Sequence, residues 1–214
     1  MGRRALSRLD DNHEGDPIRT PISYARGLSA ALGLVLVAGC LPSDGGSQTK
    51  DRVALRKSSL LQGQIQIPAP QGYCVDPASQ KDHARAGFVL MAGCDGLSGL
   101  PPGSMVTPAI LTVSALIPQQ GTPDVKNMLR ALGEDDILSR SEKDGLLIVQ
   151  VRDDKLVPEG SDPTHWRGAM VLDGALVTMA VYGNDGIAGD KGRALLTKLA
   201  QGVRTATAKA RSKS

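Results

Sequence analysis

The stretch "WRGAMVLDGALVTMAVYG", Trp166 to Gly183, constrains this chain most. Two apolar, β-prone runs flank Asp173-Gly174. A type I′ turn needs positive φ at both central residues, and Asp-Gly meets that need at low cost. The stretch therefore predicts an antiparallel hairpin, and one hairpin demands further strands to share its apolar face.

Those strands are present in the sequence. "QIQI" (Gln64 to Ile67) alternates polar and apolar residues before Pro68. Tyr73 to Val75 reads as a short strand, 87–93 ("GFVLMAG") and 108–117 ("PAILTVSALI") as longer ones, and 145–152 ("GLLIVQVR") as another. Residues 52–62 read as a short helix or an ordered lead-in, 77–85 as a turn or single helical turn, and 94–104 as loop.

Two helices stand out. In "GTPDVKNMLRALG", Thr122 suits an N-cap, Pro123 the first helical position and Gly133 the stop. Val125, Met128, Leu129 and Leu132 share one face. "GEDDILSRS" reads as a second, short helix after it. The last element spans about Asp190 to Ala210, with Leu195, Leu196, Leu199 and Val203 as its apolar stripe. The expected fold is a single α+β domain: an antiparallel sheet covered by two or three helices. This element order is similar to that of PsbP-like periplasmic and lumenal accessory domains, a likeness that implies an α/β/α sandwich.

Aromatic residues are only 2% of the chain, so Leu, Val, Ile, Ala and Met must build the core. So few rings also argue against a stacking surface for unpaired bases. Net charge is +3 over the chain, too balanced for a dedicated nucleic-acid binder. The balance is uneven: no acid follows Asp190, while seven basic residues do. That basic helix end is read as an ordinary packed helix with a solvated cationic face. Contact with anionic lipid or a cell-wall polymer is the other reading.

"GLSAALGLVLVAG", Gly27 to Gly39, carries no charge and follows Arg26. It is shorter than the roughly 20 apolar residues a bilayer span needs, and has the length of a secretory h-region. "LVAGC", Leu36 to Cys40, resembles the lipobox of bacterial lipoproteins. The resemblance implies cleavage before Cys40, a diacylglyceryl group on its thiol and a further acyl chain such as palmitate on its amino group. At about 0.8 kcal/mol per buried methylene, such chains hold a protein at a membrane almost permanently. Residues 1–39 would then be signal peptide, 40–51 a polar tether, 52–210 the domain and 211–214 a fraying tail. Residues 1–25 are longer and more acidic than an ordinary n-region, and Val37 stands where leucine is commoner. Leu41 rather than aspartate follows the cysteine, which favours the outer membrane, the domain facing the periplasm.

Export leaves two cysteines in the domain, Cys74 and Cys94. An oxidising compartment and an even count favour a disulfide between them. His83 lies between them, but C-x8-H-x10-C fits no zinc pattern and lacks a fourth ligand.

The chain has no G-x-S-x-G, H-E-x-x-H or P-loop sequence. No catalytic residue, metal ligand or cofactor site is therefore assigned. "DPTHWRG", Asp162 to Gly168, groups the only tryptophan with His165 and Arg167. Trp166 is expected to anchor the core at a strand start, with His165 in the loop before it. "YGNDGIAGDKG", Tyr182 to Gly192, reads as a glycine-rich loop; Asp135-Asp136 and Asp153-Asp154 read as solvated turns. The expected function is a non-enzymatic accessory or binding domain of the cell envelope, its partners membrane lipid through Cys40 and an unidentified envelope protein. The alternatives are a lipid-anchored hydrolase working around His83 or His165, and a carrier of a small ligand.

Overall fold

A computed structural model describes residues 54–103, 105–155 and 157–213. The expected signal peptide, lipidated Cys40 and tether lie outside the described residues.

The hairpin forms as its sequence demands. Strand β9 (Thr164–Leu172) pairs antiparallel with β10 (Ala175–Gly183) across a turn with φ of 48° at Asp173 and 75° at Gly174. Around it lies an antiparallel sheet of β3 (Tyr73–Val75), β5 (Ala86–Gly93), β6 (Ala109–Leu116), β10, β9, β8 (Leu146–Arg152) and β7 (Ile137–Lys143), in that spatial order. A two-residue strand, β4 (Lys81–Asp82), follows β3 along the same edge of β5. A separate hairpin of β1 (Lys57–Leu60) and β2 (Ile65–Pro68) lies off the main sheet. The fold is thus α+β with an antiparallel sheet.

After a one-turn helix, α3 (Asp185–Ala188), inside the segment expected to be a glycine-rich loop, helix α4 (Asp190–Arg211) covers one face beside the β1–β2 hairpin. Its Leu196, Leu199 and Val203 join Leu60, Ile65 and Ile67 of the hairpin and Met91, Leu111, Val113, Val177 and Val181 of the sheet in one core. Gly168 allows the close approach of helix to sheet, since a Cβ there would lie 3.2 Å from Leu196 Cδ2. The opposite face carries a smaller cluster under α2 (Lys126–Ala131): Met128 on Leu147, Val149, Val151 and Ala169.

Four expectations need correction. Residues 57–60 are strand, not helix, because they complete a hairpin with Ile65–Pro68 that buries Leu60. Residues 94–97 form a one-turn helix, α1 (Cys94–Leu97), rather than loop. The helix expected from Thr122 begins only at Lys126, because the Asp124 carboxylate accepts from the Lys126 N–H at 2.9 Å and closes a local turn. Of the expected second short helix only a 3-10 turn, Glu134–Asp136, forms; residues 137–143 are an edge strand, and Asp144-Gly145, with φ of 51° and 69°, turns them back onto β8.

Candidate functional site: a cavity at the sheet end

Trp166 anchors the core as expected: it is 5% exposed, and its Nε1–H is 2.9 Å from the carbonyls of Ala188 and Gly189. His165 is not in a loop. It sits inside β9, opposite Val151, fully buried. Strand alternation sends Trp166 towards α4, so His165 must point to the other face. There its ring lies 4.7 Å from that of Tyr182. Nδ1 donates to the Pro163 carbonyl at 3.1 Å, and Nε2 accepts from Arg167 Nε at 3.0 Å. This pairing assigns the Nδ1–H tautomer. Burial, above all, pushes the imidazole pKa below its usual value; the Arg167 charge pushes the same way, while the Pro163 carbonyl and Asp153 oppose it. The histidine is neutral at neutral pH and holds Arg167 in place.

His83 is exposed in the turn between β4 and β5. The pairing registers put that turn at the end of the sheet holding Leu116 and Leu176, whereas His165 stands at the end holding Ile110 and Tyr182. The sheet therefore keeps the two histidines apart. The sulfurs of Cys74 and Cys94 stand at disulfide distance, 2.01 Å, with Cα atoms 4.9 Å apart. Among the described residues no group of three or more His, Cys, Asp or Glu side chains gathers in metal-binding proximity.

A concave site lies elsewhere. A cavity of about 420 Å³ opens where β5 and β10 end and β6 begins. Ala92, Ile110 and Tyr182 line it from the sheet, and Ile110 and Tyr182 are register partners. Pro102, Gly103 and Pro108 line it from the connection between α1 and β6.

Several bonds hold that wall. Cys94, linked to β3, fixes its start. The buried Asp95 carboxylate accepts from the N–H groups of Gly96 at 2.8 Å and Met105 at 3.1 Å. Tyr73 Oη donates to the Thr107 carbonyl at 2.7 Å and fixes its end. Burial first, then the Asp95 charge, raises the Tyr73 pKa, so this phenol keeps its proton. Gly93 leaves room for Asp95: a Cβ there would lie 2.3 Å from Oδ1.

Polar groups remain free at the cavity. Tyr182, Ser161 and Asn184 all line it, and none of their side chains has a hydrogen-bond partner among the described residues. The arrangement offers an apolar floor with a phenol, a hydroxyl and an amide. Volume and chemistry match a small-molecule site. Sequence reasoning placed Tyr182 where the predicted hairpin runs into the glycine-rich loop and singled out none of the other lining residues. The one available signal was three prolines and a glycine clustered at 101–108, which mark an ordered connection without saying what it encloses.

No family model, no curated protein and no solved structure matches this chain.

Proposed function

We propose that this chain is a lipid-anchored protein of the bacterial envelope whose domain is a non-enzymatic binding module, taking a small ligand in the sheet-end cavity. The cavity carries the binding part of this reading. It has a volume of about 420 Å³, a wall held by Cys94, Asp95 and Tyr73, and three uncommitted polar side chains. The ligand it suits has an apolar body and a neutral group able to donate and accept hydrogen bonds. The likeness of the element order to PsbP-like accessory domains points the same way.

The anchor rests on "LVAGC" and the uncharged run before it. The Cys74–Cys94 geometry supports an oxidising compartment, because such bonds persist there and not in a reducing cytosol. Leu41 after the acylated cysteine favours the outer membrane. Among the described residues no helix is long and apolar enough to cross a membrane.

Two mass measurements test the parts separately. Intact mass spectrometry of membrane-extracted protein should give a chain beginning at Cys40 plus acyl groups; a mass that retains residues 1–39 rejects the anchor. Native mass spectrometry of the same sample should show a bound small molecule that Ile110→Trp, which fills the cavity, removes. Equal retention by the variant places the ligand elsewhere.

A further inference from the structure

Charge is divided between the two sides of this domain. The layer over one sheet face consists of the β1–β2 hairpin and α4. Residues 54–75 and 191–213, which hold that layer, contain nine basic residues and no acid. Residues 76–190 contain nine basic residues and sixteen acids. The domain's net charge of +2 therefore conceals +9 in one layer and −7 in the rest.

The cations of α4 fall into two rows. Arg193, Arg204 and Arg211 follow at steps of eleven and seven residues, close to three and two helical turns, so they share a flank. All three are engaged within the protein. Arg193 reaches Ser141 Oγ at 3.3 Å and lies 6.0 Å from the Trp166 ring centroid. Arg204 contacts Met170 Sδ at 3.9 Å, and Arg211 pairs with Asp173 at 2.7 Å. Lys191, Lys198 and Lys209 follow at steps of seven and eleven residues and share the other flank. All three are exposed, and none has an ion pair or side-chain hydrogen bond among the described residues. Gly202, lying on that flank, packs on Pro68 of β2, so the lysine row faces the hairpin side. The hairpin adds exposed Lys57.

The described chain begins on that same side. Leu55 pairs with Val75 at the sheet edge, and Arg56 leads directly into β1. Whatever precedes Ala54 joins the domain at the hairpin, three residues before Lys57.

From these observations we infer that the hairpin–α4 layer docks on an anionic bilayer surface, with Lys57, Lys191, Lys198 and Lys209 facing lipid phosphates. This rests on the anchored reading in one respect: a tether of residues 40–51, roughly 20 Å in root-mean-square length, would hold the layer near the headgroups. Once there, each Lys or Arg near an anionic leaflet contributes about 1 kcal/mol. The acid-rich side then faces away from the membrane, and the domain has a fixed orientation rather than a free tumble.

The test uses the full chain carrying Cys40→Ser, so its outcome does not depend on acylation. Binding is measured by co-sedimentation with vesicles of phosphatidylglycerol and phosphatidylcholine, and with vesicles of phosphatidylcholine alone. The triple variant Lys191→Glu/Lys198→Glu/Lys209→Glu should lose at least about 100-fold in partitioning to the anionic vesicles, from about 1 kcal/mol per cation. Partitioning to neutral vesicles should not change. Raising salt from about 0.01 M to about 1 M shortens the Debye length from about 30 Å to about 3 Å and should abolish the difference between the two chains. The triple Lys→Gln variant repeats the test with a smaller change in charge, should the reversed one fail to fold. Control reversals at Lys126 and Arg140, outside the layer, should leave binding unchanged. Equal partitioning of wild type and both triple variants overturns the inference, as does binding to a soluble anionic polysaccharide without binding to anionic vesicles. Neither result bears on the mass of the acylated protein, so the anchor stands or falls separately.

Discussion

The two faces of the sheet are built to different standards. On one, a 22-residue helix and a hairpin cover β5, β6, β10 and β9 and bury Leu60, Ile65, Ile67, Leu196, Leu199 and Val203 almost completely. On the other, the six residues of α2 cover β8 and β9, with Met128 as their one buried side chain. The rest of that second face is only partly shielded: Phe88, Leu90, Ile110 and Leu176 are half-buried, and Leu116 is 50% exposed. The thick face carries the stability and the cationic surface. The thin face carries the buried histidine and, at its end, the cavity. A domain with one fully packed face can leave the other under-filled, and a cavity needs that freedom.

Unequal effects of mutation would sharpen this contrast, and equal ones would break it. Leu199→Ala should be the most damaging, destabilising by about 3–4 kcal/mol in urea unfolding, because helix and hairpin fix the walls of the void it leaves. Removing the Cys74–Cys94 link with a double alanine variant should cost roughly 3 kcal/mol, from the loop of 20-residue separation that it closes. It should also weaken ligand retention, since Cys94 starts the cavity wall. Met128→Ala should cost about 2 kcal/mol or less, because a six-residue helix can settle into the space. A cost equal to that of Leu199→Ala would show the two faces to be equally rigid.

Acid should act on the thin face first. His165 is neutral in the fold with its pKa lowered below 6.5, so the unfolded chain binds the extra proton more readily. Its contribution is complete above about pH 6.5 and is lost as pH falls towards the folded value. His165→Asn should flatten this stretch of the stability–pH profile; an unchanged profile would assign the acid sensitivity elsewhere. Arg211→Ala should have the smallest effect, about 0.5 kcal/mol, because the arginine is 74% exposed and its pair with Asp173 is screened by solvent.

Sequence reading succeeded wherever local chemistry and tertiary need agreed. Asp173-Gly174 announced its hairpin, and the stripe of Leu196, Leu199 and Val203 announced α4. It failed at β7. "ILSRSEK" has no clean alternation, because an edge strand with solvent on most sides selects polar residues and uses charge against further pairing. Asp144-Gly145 carried the same turn signal as Asp173-Gly174, but polar flanks hid it. His165 lies two residues after Pro163 and was placed in a loop, whereas the register with β8 carries β9 as far as Thr164. Cys74 and Cys94, paired in the sequence by their even count and the expected export, stand at disulfide distance.

The sequence by itself determined the antiparallel hairpin, the apolar stripe of the last helix, the uncharged run ending at Cys40 and the absence of acid after Asp190, because each is written in neighbouring residues. Only the tertiary structure decided the cavity, the His165–Arg167–Tyr182 contact and the division of cations into an engaged arginine row and a free lysine row. Those depend on which strand lies beside which. That order is set by long-range burial and pairing, which no short window of sequence contains.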